Sequence, residues 1–232
     1  MKLGFFKRLS EAIFPATCEC CGVSLVDGEE MLCLKCLHKL PRTNYHRESF
    51  NEIHKRLASP GLPIDRAASY YHYIKDTPYA RLIQKAKYNN RPAIIRHLAR
   101  NFASELLPAG FFQGIDVILP IPLHRKKLRR RGYNQSEILA IGISDVTGIP
   151  VGDNLKALPH DTQTRKGAAD RFANVKDKIT VENADELNAR HILIVDDVIT
   201  TGATMLAAAG ALKQAAPSVT ISVLSIGASK LG

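Results

Sequence analysis

The sequence lacks an apolar run long enough for the core of a signal peptide or for a helix that spans a bilayer. Residues 1–14 contain several aromatic and aliphatic side chains, but lysine, arginine and glutamate interrupt them. The chain also lacks the G-x-x-x-x-G-K-[ST] loop of P-loop nucleotide hydrolases. With 45% hydrophobic and 23% charged residues, it lacks the composition of a disordered protein. We therefore expect a cytoplasmic globular protein with no membrane span.

The length and the charge of the chain restrict its organisation and its ligands. With 232 residues, it is expected to form one medium-sized domain and a small one. Its 32 lysine and arginine residues against 22 aspartate and glutamate residues give a formal net charge of +10. This surplus predicts polyanionic ligands, namely pyrophosphate, nucleic acid or both, although a merely basic surface has the same signature.

All five cysteines fall within residues 18–36, in two C-x-x-C pairs plus one extra thiol. Two such pairs can place four thiolates around Zn²⁺, and four sulfur ligands leave no open coordination position, so the predicted metal is structural. Disulfides are disfavoured because nothing else in the sequence indicates secretion. We predict a zinc knuckle with an N-terminal helix over residues 1–41, with Cys18, Cys21, Cys33 and Cys36 as ligands. Cys20 is the predicted spare thiol, and its substitution for Cys18 or Cys21 stays an alternative.

Residues 42–66 are polar and contain Pro60-Gly61-Leu62-Pro63, which predicts a connector to a larger domain at 67–232. That domain alternates predicted strands with predicted helices, the pattern of an α/β fold with a mainly parallel sheet. The predicted strands are 67–74, 117–119, 192–195 and 219–226, and the predicted helices are 78–87, 92–107, 136–146 and 205–216.

Residues 192–204 read ILIVDDVITTGAT and are the most informative segment of the chain. Four apolar residues predict a strand buried on both faces, and this strand ends at Asp196 and Asp197. The threonines, the glycine and the N–H groups that open the next helix can bind a phosphate without a cation. The two carboxylates can accept hydrogen bonds from vicinal hydroxyls or help to hold hydrated Mg²⁺. A ribose 5-phosphate satisfies both halves, whereas a buried strand with a solvated acidic turn explains only the carboxylates.

This segment resembles the phosphoribosyl pyrophosphate motif of the type I phosphoribosyltransferases over its thirteen consecutive residues. The resemblance implies their α/β fold, a mainly parallel sheet flanked by helices, and implies phosphoribosyl pyrophosphate and Mg²⁺ as ligands. It makes Asp196 and Asp197 the candidate catalytic residues, which hold the ribose hydroxyls, one of them as a candidate general base. The implied substrate-binding loop comprises Val198, Ile199, Thr200, Thr201, Gly202, Ala203 and Thr204.

A second segment, residues 120–135, reads PIPLHRKKLRRRGYNQ. Six of the seven residues 125–131 are basic, and their position after a strand predicts a loop on the same edge of the sheet as Asp196. A solvated or nucleic-acid-binding face is the alternative. The segment resembles the ComF-type competence proteins, which also carry an N-terminal four-cysteine knuckle. This likeness implies a pyrophosphate loop at Pro122, Leu123 and His124, and a segment shaping the site at Arg131, Tyr133, Asn134 and Gln135.

Residues 158–178 are polar, weakly patterned and long enough for a lid. In related transferases a flexible loop at this place closes over the substrate. That likeness implies that Arg165 and Arg171, with Lys166 beside them, meet the leaving pyrophosphate. An exposed basic hairpin is an equally good interpretation.

The resemblances together imply a phosphoribosyltransferase-like protein that binds phosphoribosyl pyrophosphate with Mg²⁺ and acts in DNA uptake during natural transformation. Transfer would proceed by loss of pyrophosphate from C1 of the ribose and needs no protein nucleophile. The alternative is a non-catalytic accessory protein that handles single-stranded DNA together with DNA-uptake proteins. A steep dependence of binding on salt would distinguish the second hypothesis from the first.

Overall fold

The computed structural model describes residues 16–158 and 179–230. The predicted N-terminal helix and the predicted lid with Arg165 and Arg171 lie outside these residues. In the described part, the helices are α1 (Leu34–His38), α2 (Glu52–Arg56), α3 (Pro78–Tyr88), α4 (Pro92–Leu106), α5 (Arg125–Arg131), α6 (Gln135–Thr147) and α7 (Ala203–Ala215). The strands are β1 (Ala67–Tyr73), β2 (Val117–Pro120), β3 (Leu155–Ala157), β4 (Ile179–Val181), β5 (His191–Ile199) and β6 (Thr220–Ser229).

The centre of the fold is a four-stranded parallel sheet with the strand order β1-β6-β5-β2. Parallel neighbours need a crossover connection, and helices supply it between successive strands of this sheet. Strands β3 and β4 form a separate antiparallel pair. The predicted α/β fold with a parallel sheet flanked by helices is therefore confirmed.

Side chains of each strand alternate between two hydrophobic clusters, one on each face of the sheet. In β5, Leu193 and Val195 belong to one cluster, whereas Ile192 and Ile194 belong to the other, and all four are fully buried. The first cluster also contains the apolar faces of α3, α4 and α6, and the second contains those of α2 and α7. Burial on both faces explains the continuous apolar run in the sequence of β5.

The cysteine knuckle packs against the first of these clusters. Cys18, Leu32, Cys33 and Cys36 are buried members of it, together with side chains of α3 and α4. The hydroxyl of Tyr79 on α3 donates a hydrogen bond of 3.1 Å to the carbonyl oxygen of Cys36. The described part of the knuckle therefore shares a core with the sheet domain.

Residues 42–66, predicted as a polar connector, also pack into the domain. They contain a 3₁₀ turn at Tyr45–Arg47 and helix α2, whose Ile53 is fully buried; Leu57, one position past its end, is buried as well. The Asn51 side chain caps α2 by accepting from the backbone N–H groups of Ile53 and His54. Ile53 and Leu57 lie four positions apart on one helical face, and their burial attaches this otherwise polar segment to the domain.

The basic run at 125–131 is a helix, and its prediction as a loop was wrong. Arginine, lysine and leucine are all good helix formers, so a run of them outweighs the charge repulsion at this surface. The helix α5 begins after His124, whose Nδ1 accepts a hydrogen bond from the backbone N–H of Lys126. It ends at Gly132, whose φ of 81° provides the left-handed residue that commonly follows a helix.

Candidate ribose-phosphate site

The predicted site residues follow the carboxyl ends of two adjacent parallel strands, β5 and β2. Asp196 and Asp197 lie near the end of β5, and the chain then turns at 200–202 into α7. Strand β2 ends at Pro120 and leads through Pro122, Leu123 and His124 into α5. Because both strands run in the same direction, the two segments meet at one edge of the sheet, where ligands of open α/β sheets bind.

Asp196 accepts two hydrogen bonds inside the protein. The hydroxyl of Ser136, at the start of α6, donates to its Oδ1 at 2.8 Å, and the backbone N–H of Asp197 donates to the same oxygen at 2.8 Å. Burial, reinforced by the negative charge of Asp197, raises the pKa of Asp196 to about 7. This carboxyl group therefore changes its charge near neutral pH.

Asp197 forms an ion pair with a lysine that lies 110 positions away in the sequence. The Nζ atom of Lys87, in the last turn of α3, lies 3.0 Å from Oδ1 and 2.9 Å from Oδ2 of Asp197. Asp197 is only 7% exposed, so an unpaired carboxylate at this position would be costly. Lys87 thus balances one of the two adjacent acids.

The loop 200–202 joins β5 to α7 and exposes Thr200 and Thr201. Gly202 has a φ of 81°, and a Cβ atom at this position would lie 2.7 Å from Cδ2 of Leu57. The loop requires glycine here because the backbone is left-handed and close to a neighbouring side chain. The first N–H groups of α7, a helix of 13 residues, open onto the loop, an arrangement suited to a phosphate.

Arg56 holds this loop from the side of α2. Its Nη1 donates to the carbonyl oxygens of Ile199 at 3.2 Å and Thr200 at 2.9 Å, and its Nη2 donates to that of Ser229 at 2.8 Å. The guanidinium therefore fixes the ends of β5 and β6 relative to each other. The segment predicted as a connector supplies this contact.

The end of α5 and the start of α6 line the same cavity as the acidic pair, through Arg131 and Gln135. Arg131 donates to Oε1 of Gln135 at 2.7 Å, and its guanidinium carbon lies 5.7 Å from the ring centroid of Tyr88. Nε of Arg131 and Nε2 of Gln135 are buried donors with no hydrogen-bond partner among the described residues. Buried donors of this kind are rare in proteins and suit an anionic or hydroxyl-rich ligand.

Of the next two residues, Asn134 lines the cavity, whereas Tyr133 contacts helix α3. The Nδ2 atom of Asn134 donates to the carbonyl oxygen of Ile121 at 2.9 Å, and its Oδ1 caps α6 at the N–H of Ser136. The hydroxyl of Tyr133 donates to the carbonyl oxygen of Ala86, in the last turn of α3. Asn134 thus ties α6 to the chain after β2, whereas Tyr133 ties the same segment to α3.

A cavity of about 690 Å³ lies between these elements. Asp196 and Thr204 line both this cavity and a small concavity formed by the loop 199–203. The residues that line the large cavity are Lys87, Ile121, Pro122, Leu123, His124, Lys126, Lys127, Arg131, Asn134, Gln135, Ser136, Ala157, Leu158, Ile179, Asp196, Asp197 and Thr204.

The acidic pair, Thr204 and most of the predicted residues at 122–135 line the large cavity. The other residues of the predicted phosphate loop, at 200–203, line the small concavity instead. Val198 and Ile199 lie in β5 beside the loop, and Tyr133 acts through the backbone of α3. Three polar residues that contact the acidic pair or the loop after it had no sequence prediction: Lys87, Ser136 and Arg56. Lys87 and Ser136 belong to predicted helices, and the periodicity of a helix does not indicate which of its residues contacts a remote strand. Ser136 directly follows the predicted residues 133–135, which is the one signal that could have found it.

The four predicted zinc ligands also come together. The Sγ atoms of Cys18, Cys21, Cys33 and Cys36 lie within 4.8 Å of one another, and those of Cys21 and Cys33 are 3.8 Å apart. Burial raises the pKa of the Cys18 thiol, but hydrogen bonds from backbone N–H groups, including that of Cys33, lower it to about 7. This arrangement could hold a metal ion.

Comparison with known proteins identifies the family. The sequence profile of the phosphoribosyl transferase domain matches residues 85–230. The chain is 34% identical over 147 residues to Competence protein F of Haemophilus influenzae, a match that covers 61% of this chain and 63% of that protein. It is 33% identical over 136 residues to the DNA utilization protein YhgH of Shigella flexneri, with 55% of this chain and 58% of that protein covered. The chain thus spans about six tenths of the length of these two relatives.

A third relative is matched over most of its length, and comparison with solved structures gives lower similarity. Competence protein ComFC of Bacillus subtilis is 25% identical over 217 residues, covering 85% of this chain and 84% of that protein. Glutamine phosphoribosylpyrophosphate amidotransferase of B. subtilis gives a TM-score of 0.37 at 23% identity over 55% of this chain and 26% of that chain. Adenine phosphoribosyltransferase of Leishmania tarentolae gives 0.38 at 11% identity over 62% and 74%. The profile match and the competence-protein relatives show that the chain belongs to the ComF-type family of phosphoribosyltransferase-like proteins.

Proposed function

We propose that the protein binds phosphoribosyl pyrophosphate together with Mg²⁺ in the cavity above the acidic pair. The observation that carries this proposal is that two acids, a threonine and three cations line one cavity of about 690 Å³, namely Asp196, Asp197, Thr204, Lys126, Lys127 and Arg131. A site needs acceptors for hydroxyl groups, a phosphate-binding loop and cations at the same place only if its ligand carries hydroxyls, a phosphate and a pyrophosphate.

In this proposal each part of the site has a separate task. Asp196 and Asp197 accept hydrogen bonds from the two ribose hydroxyls. The loop 200–204 and the first N–H groups of α7 hold the 5′-phosphate. Pro122, Leu123 and His124 lie at the pyrophosphate, with Arg131 and the unpaired Nε2 of Gln135 as donors. We also propose that Arg165 and Arg171 contact the pyrophosphate.

The chemistry proposed for this site is transfer of the phosphoribosyl group to an acceptor. The bond between C1 of the ribose and the pyrophosphate oxygen breaks, and its electron pair leaves with the pyrophosphate. A new bond forms between C1 and the acceptor, whose proton passes to Asp196, the acid with a pKa of about 7. Mg²⁺ bound with the ligand would neutralise charge on the leaving pyrophosphate. Preorganised cations next to the leaving group are usually the largest contribution to catalysis of this kind.

A double variant tests the proposal. Asp196→Asn with Asp197→Asn keeps the size of both side chains but removes both charged acceptors. Isothermal titration calorimetry should show no binding of phosphoribosyl pyrophosphate to this variant, while its far-UV circular dichroism stays that of the wild type. A folded double variant that binds with wild-type affinity would contradict the proposed site.

We further propose that the four-cysteine cluster binds structural Zn²⁺. In a tetrahedral site with Zn–S bonds of about 2.3 Å, sulfur atoms lie about 3.8 Å apart, which is the distance between Sγ of Cys21 and Sγ of Cys33. The apolar side chains in the described part of the knuckle pack against the sheet domain and do not form a separate core, so the metal would supply part of its stability. Free thiolates in such a site fit a location in the reducing cytoplasm.

A second candidate function is the handling of single-stranded DNA in DNA uptake. Helix α5 favours it because all its residues other than Leu128 are basic and residues 125–130 are exposed. The names of two relatives, Competence protein F and DNA utilization protein, point to the same process. Binding through the phosphate backbone should weaken steeply as salt rises, so fluorescence anisotropy with a labelled oligonucleotide at several salt concentrations tests this function. Affinity that does not change with salt would contradict it.

A further inference from the structure

The last turn of α3 connects three parts of the protein through three consecutive residues. Lys85 contacts the cysteine knuckle, Ala86 accepts a hydrogen bond from Tyr133, and Lys87 pairs with Asp197. Each of these three residues therefore makes a contact outside its own helix.

The contact of Lys87 depends on the backbone that carries it. Its side chain is a flexible four-carbon stem, so the position of its ammonium group is set by where the helix places the Cα atom. The last carbonyl groups of a helix have no partner within the helix, and helix ends open more easily than helix centres. A turn of this kind needs outside contacts if it is to hold an ammonium group within 3.0 Å of Asp197.

The cysteine knuckle supplies one of these outside contacts. Nζ of Lys85 donates to the backbone carbonyl oxygen of Glu19 at 2.6 Å and to its Oε2 at 3.2 Å. The other carboxylate oxygen of Glu19 accepts from Arg91, which directly precedes α4. The Glu19 side chain is 11% exposed. Because Glu19 stands between two cysteines of the sulfur cluster, its position is fixed by that cluster.

We propose that the last turn of α3 is a positioning element, in which Lys87 holds the Asp197 carboxylate in place for the ligand and the knuckle, through Glu19, holds the turn. The inference rests on the proposed function, since the ligand in question is phosphoribosyl pyrophosphate. The knuckle would then contribute to ligand affinity, although Glu19 contacts only Lys85 in α3 and Arg91 directly before α4. Lys87 and Glu19 are positioning residues in this scheme, and Asp197 remains the residue that touches the ligand.

The test compares ligand affinities by titration calorimetry for variants at each step of this connection. We expect Lys87→Met to weaken binding about tenfold. Lys85→Met removes both contacts to Glu19 and should weaken binding about threefold to tenfold, whereas Glu19→Ala keeps the backbone carbonyl acceptor and should weaken it about threefold. Lys87→Arg should recover most of the affinity because it keeps the cation. Asp145→Ala is the matched control, since it removes a comparable ion pair, to Arg96 between α4 and α6, that is not part of the cavity; its affinity should stay within about twofold of the wild type.

A double-mutant cycle shows whether Glu19 acts through Lys87. In the Lys87→Met background, Glu19→Ala should cause little further loss, because the group it positions is already absent. The inference would be overturned if the two losses of ligand affinity multiply in the double variant. It would also be overturned if Glu19→Ala and Lys85→Met both bind the ligand with wild-type affinity. Lys85→Met leaves the knuckle sequence intact, so a misfolded knuckle in Glu19→Ala cannot by itself produce the expected pattern.

Hydrogen exchange separates this inference from the proposed function. In Glu19→Ala without ligand, the amides of residues 85–88 should exchange faster than in the wild type, while those in β5 should not change. If the wild type does not bind phosphoribosyl pyrophosphate, the proposed function fails, and the role of the turn in ligand binding fails with it. If the wild type binds and the exchange of 85–88 is unchanged in Glu19→Ala, only the inference is overturned.

Discussion

The hydroxyl of Ser136 donates a 2.8 Å hydrogen bond to Asp196, whereas the ammonium group of Lys87 pairs with Asp197. Two adjacent acids thus have different partners, one neutral and one charged. The neutral partner stabilises a carboxylate less than a cation does. Burial and the negative charge of Asp197 raise the pKa of Asp196 to about 7, and the hydrogen bond from Ser136 offsets only part of this rise.

Ligand affinity should depend on pH through Asp196. A carboxyl group with a pKa of about 7 is mostly protonated at pH 6 and mostly ionised at pH 8. Because only the carboxylate is a full acceptor for ribose hydroxyls, affinity for phosphoribosyl pyrophosphate should rise about tenfold between these pH values. Calorimetry of the wild type and of Asp196→Asn separates this effect from ionisation of the ligand, since the variant should lack the rise. Equal pH profiles for the two proteins would contradict the assignment.

The same carboxyl group should lower the stability of the ligand-free protein at high pH. Its pKa in the fold, about 7, exceeds the ordinary value of 3.8, so the folded state binds this proton more tightly than the unfolded state. The stabilisation from this group is present at low pH and is lost as pH rises from about 4 to about 7. Relative to the wild type, Asp196→Asn should therefore gain about 1–3 kcal/mol of unfolding free energy on going from pH 5 to pH 8. Urea denaturation at both pH values measures this, and a variant that gains nothing on going from pH 5 to pH 8 would contradict it.

Gly202→Ala should damage the phosphate-binding loop. The backbone at φ 81° disfavours a Cβ atom by about 1–2 kcal/mol, and that atom would also press on Leu57. We expect lower stability and weaker binding of phosphoribosyl pyrophosphate. Gly210→Ala is the matched control, because Gly210 lies within α7 with open space around its Cα; it should stabilise the helix by about 0.5–1 kcal/mol and leave binding unchanged. Equal effects of the two substitutions would argue against a special role of the loop.

Arg56→Ala should loosen the same loop from the other side. It removes three hydrogen bonds to the carbonyl oxygens of Ile199, Thr200 and Ser229, with an expected loss of about 1–3 kcal/mol in unfolding free energy. Ligand affinity should fall as well, since the loop is held less firmly. Lys55→Ala removes only an exposed ion pair to Glu52 on the same helix and should change neither quantity measurably. An unaffected Arg56→Ala protein would show that α2 does not support the loop.

Removal of one predicted metal ligand should have a larger effect than removal of the spare thiol. Cys36→Ser should abolish zinc binding, measured as metal content of the purified protein, and lower the unfolding free energy by about 3 kcal/mol or more. Cys20→Ser should retain the metal and most of the stability, because Cys20 is outside the cluster of four sulfur atoms. Loss of zinc in Cys20→Ser would instead make Cys20 a ligand.

The fold could be predicted from the sequence because its signals are local. The run Ile192-Leu193-Ile194-Val195 is buried on both faces as a central parallel strand must be. Helix α3 begins at Pro78 as predicted, and the Thr77 side chain caps it. Among the described residues, no helix is both long and apolar enough to cross a membrane.

The rest of the site depends on contacts between distant residues, which no local pattern contains. Lys87 reads as an ordinary basic residue near the end of a helix, and Arg56 as part of a polar connector. Their importance comes from pairing with Asp197 and with the carbonyl groups beside Thr200. The basic run was predicted as a loop because charge was weighed above helix propensity, although α5 shows that propensity decides the local backbone.

The most direct test of the account is a calorimetric titration of the zinc-loaded wild type with phosphoribosyl pyrophosphate, with and without Mg²⁺. Ribose 5-phosphate and pyrophosphate, titrated separately, are the controls for the two halves of the site. The account predicts Mg²⁺-dependent binding of the whole ligand that is tighter than binding of either half. Absence of binding, or pyrophosphate alone binding as tightly as the whole ligand, would contradict a ribose-phosphate site at Asp196 and Asp197.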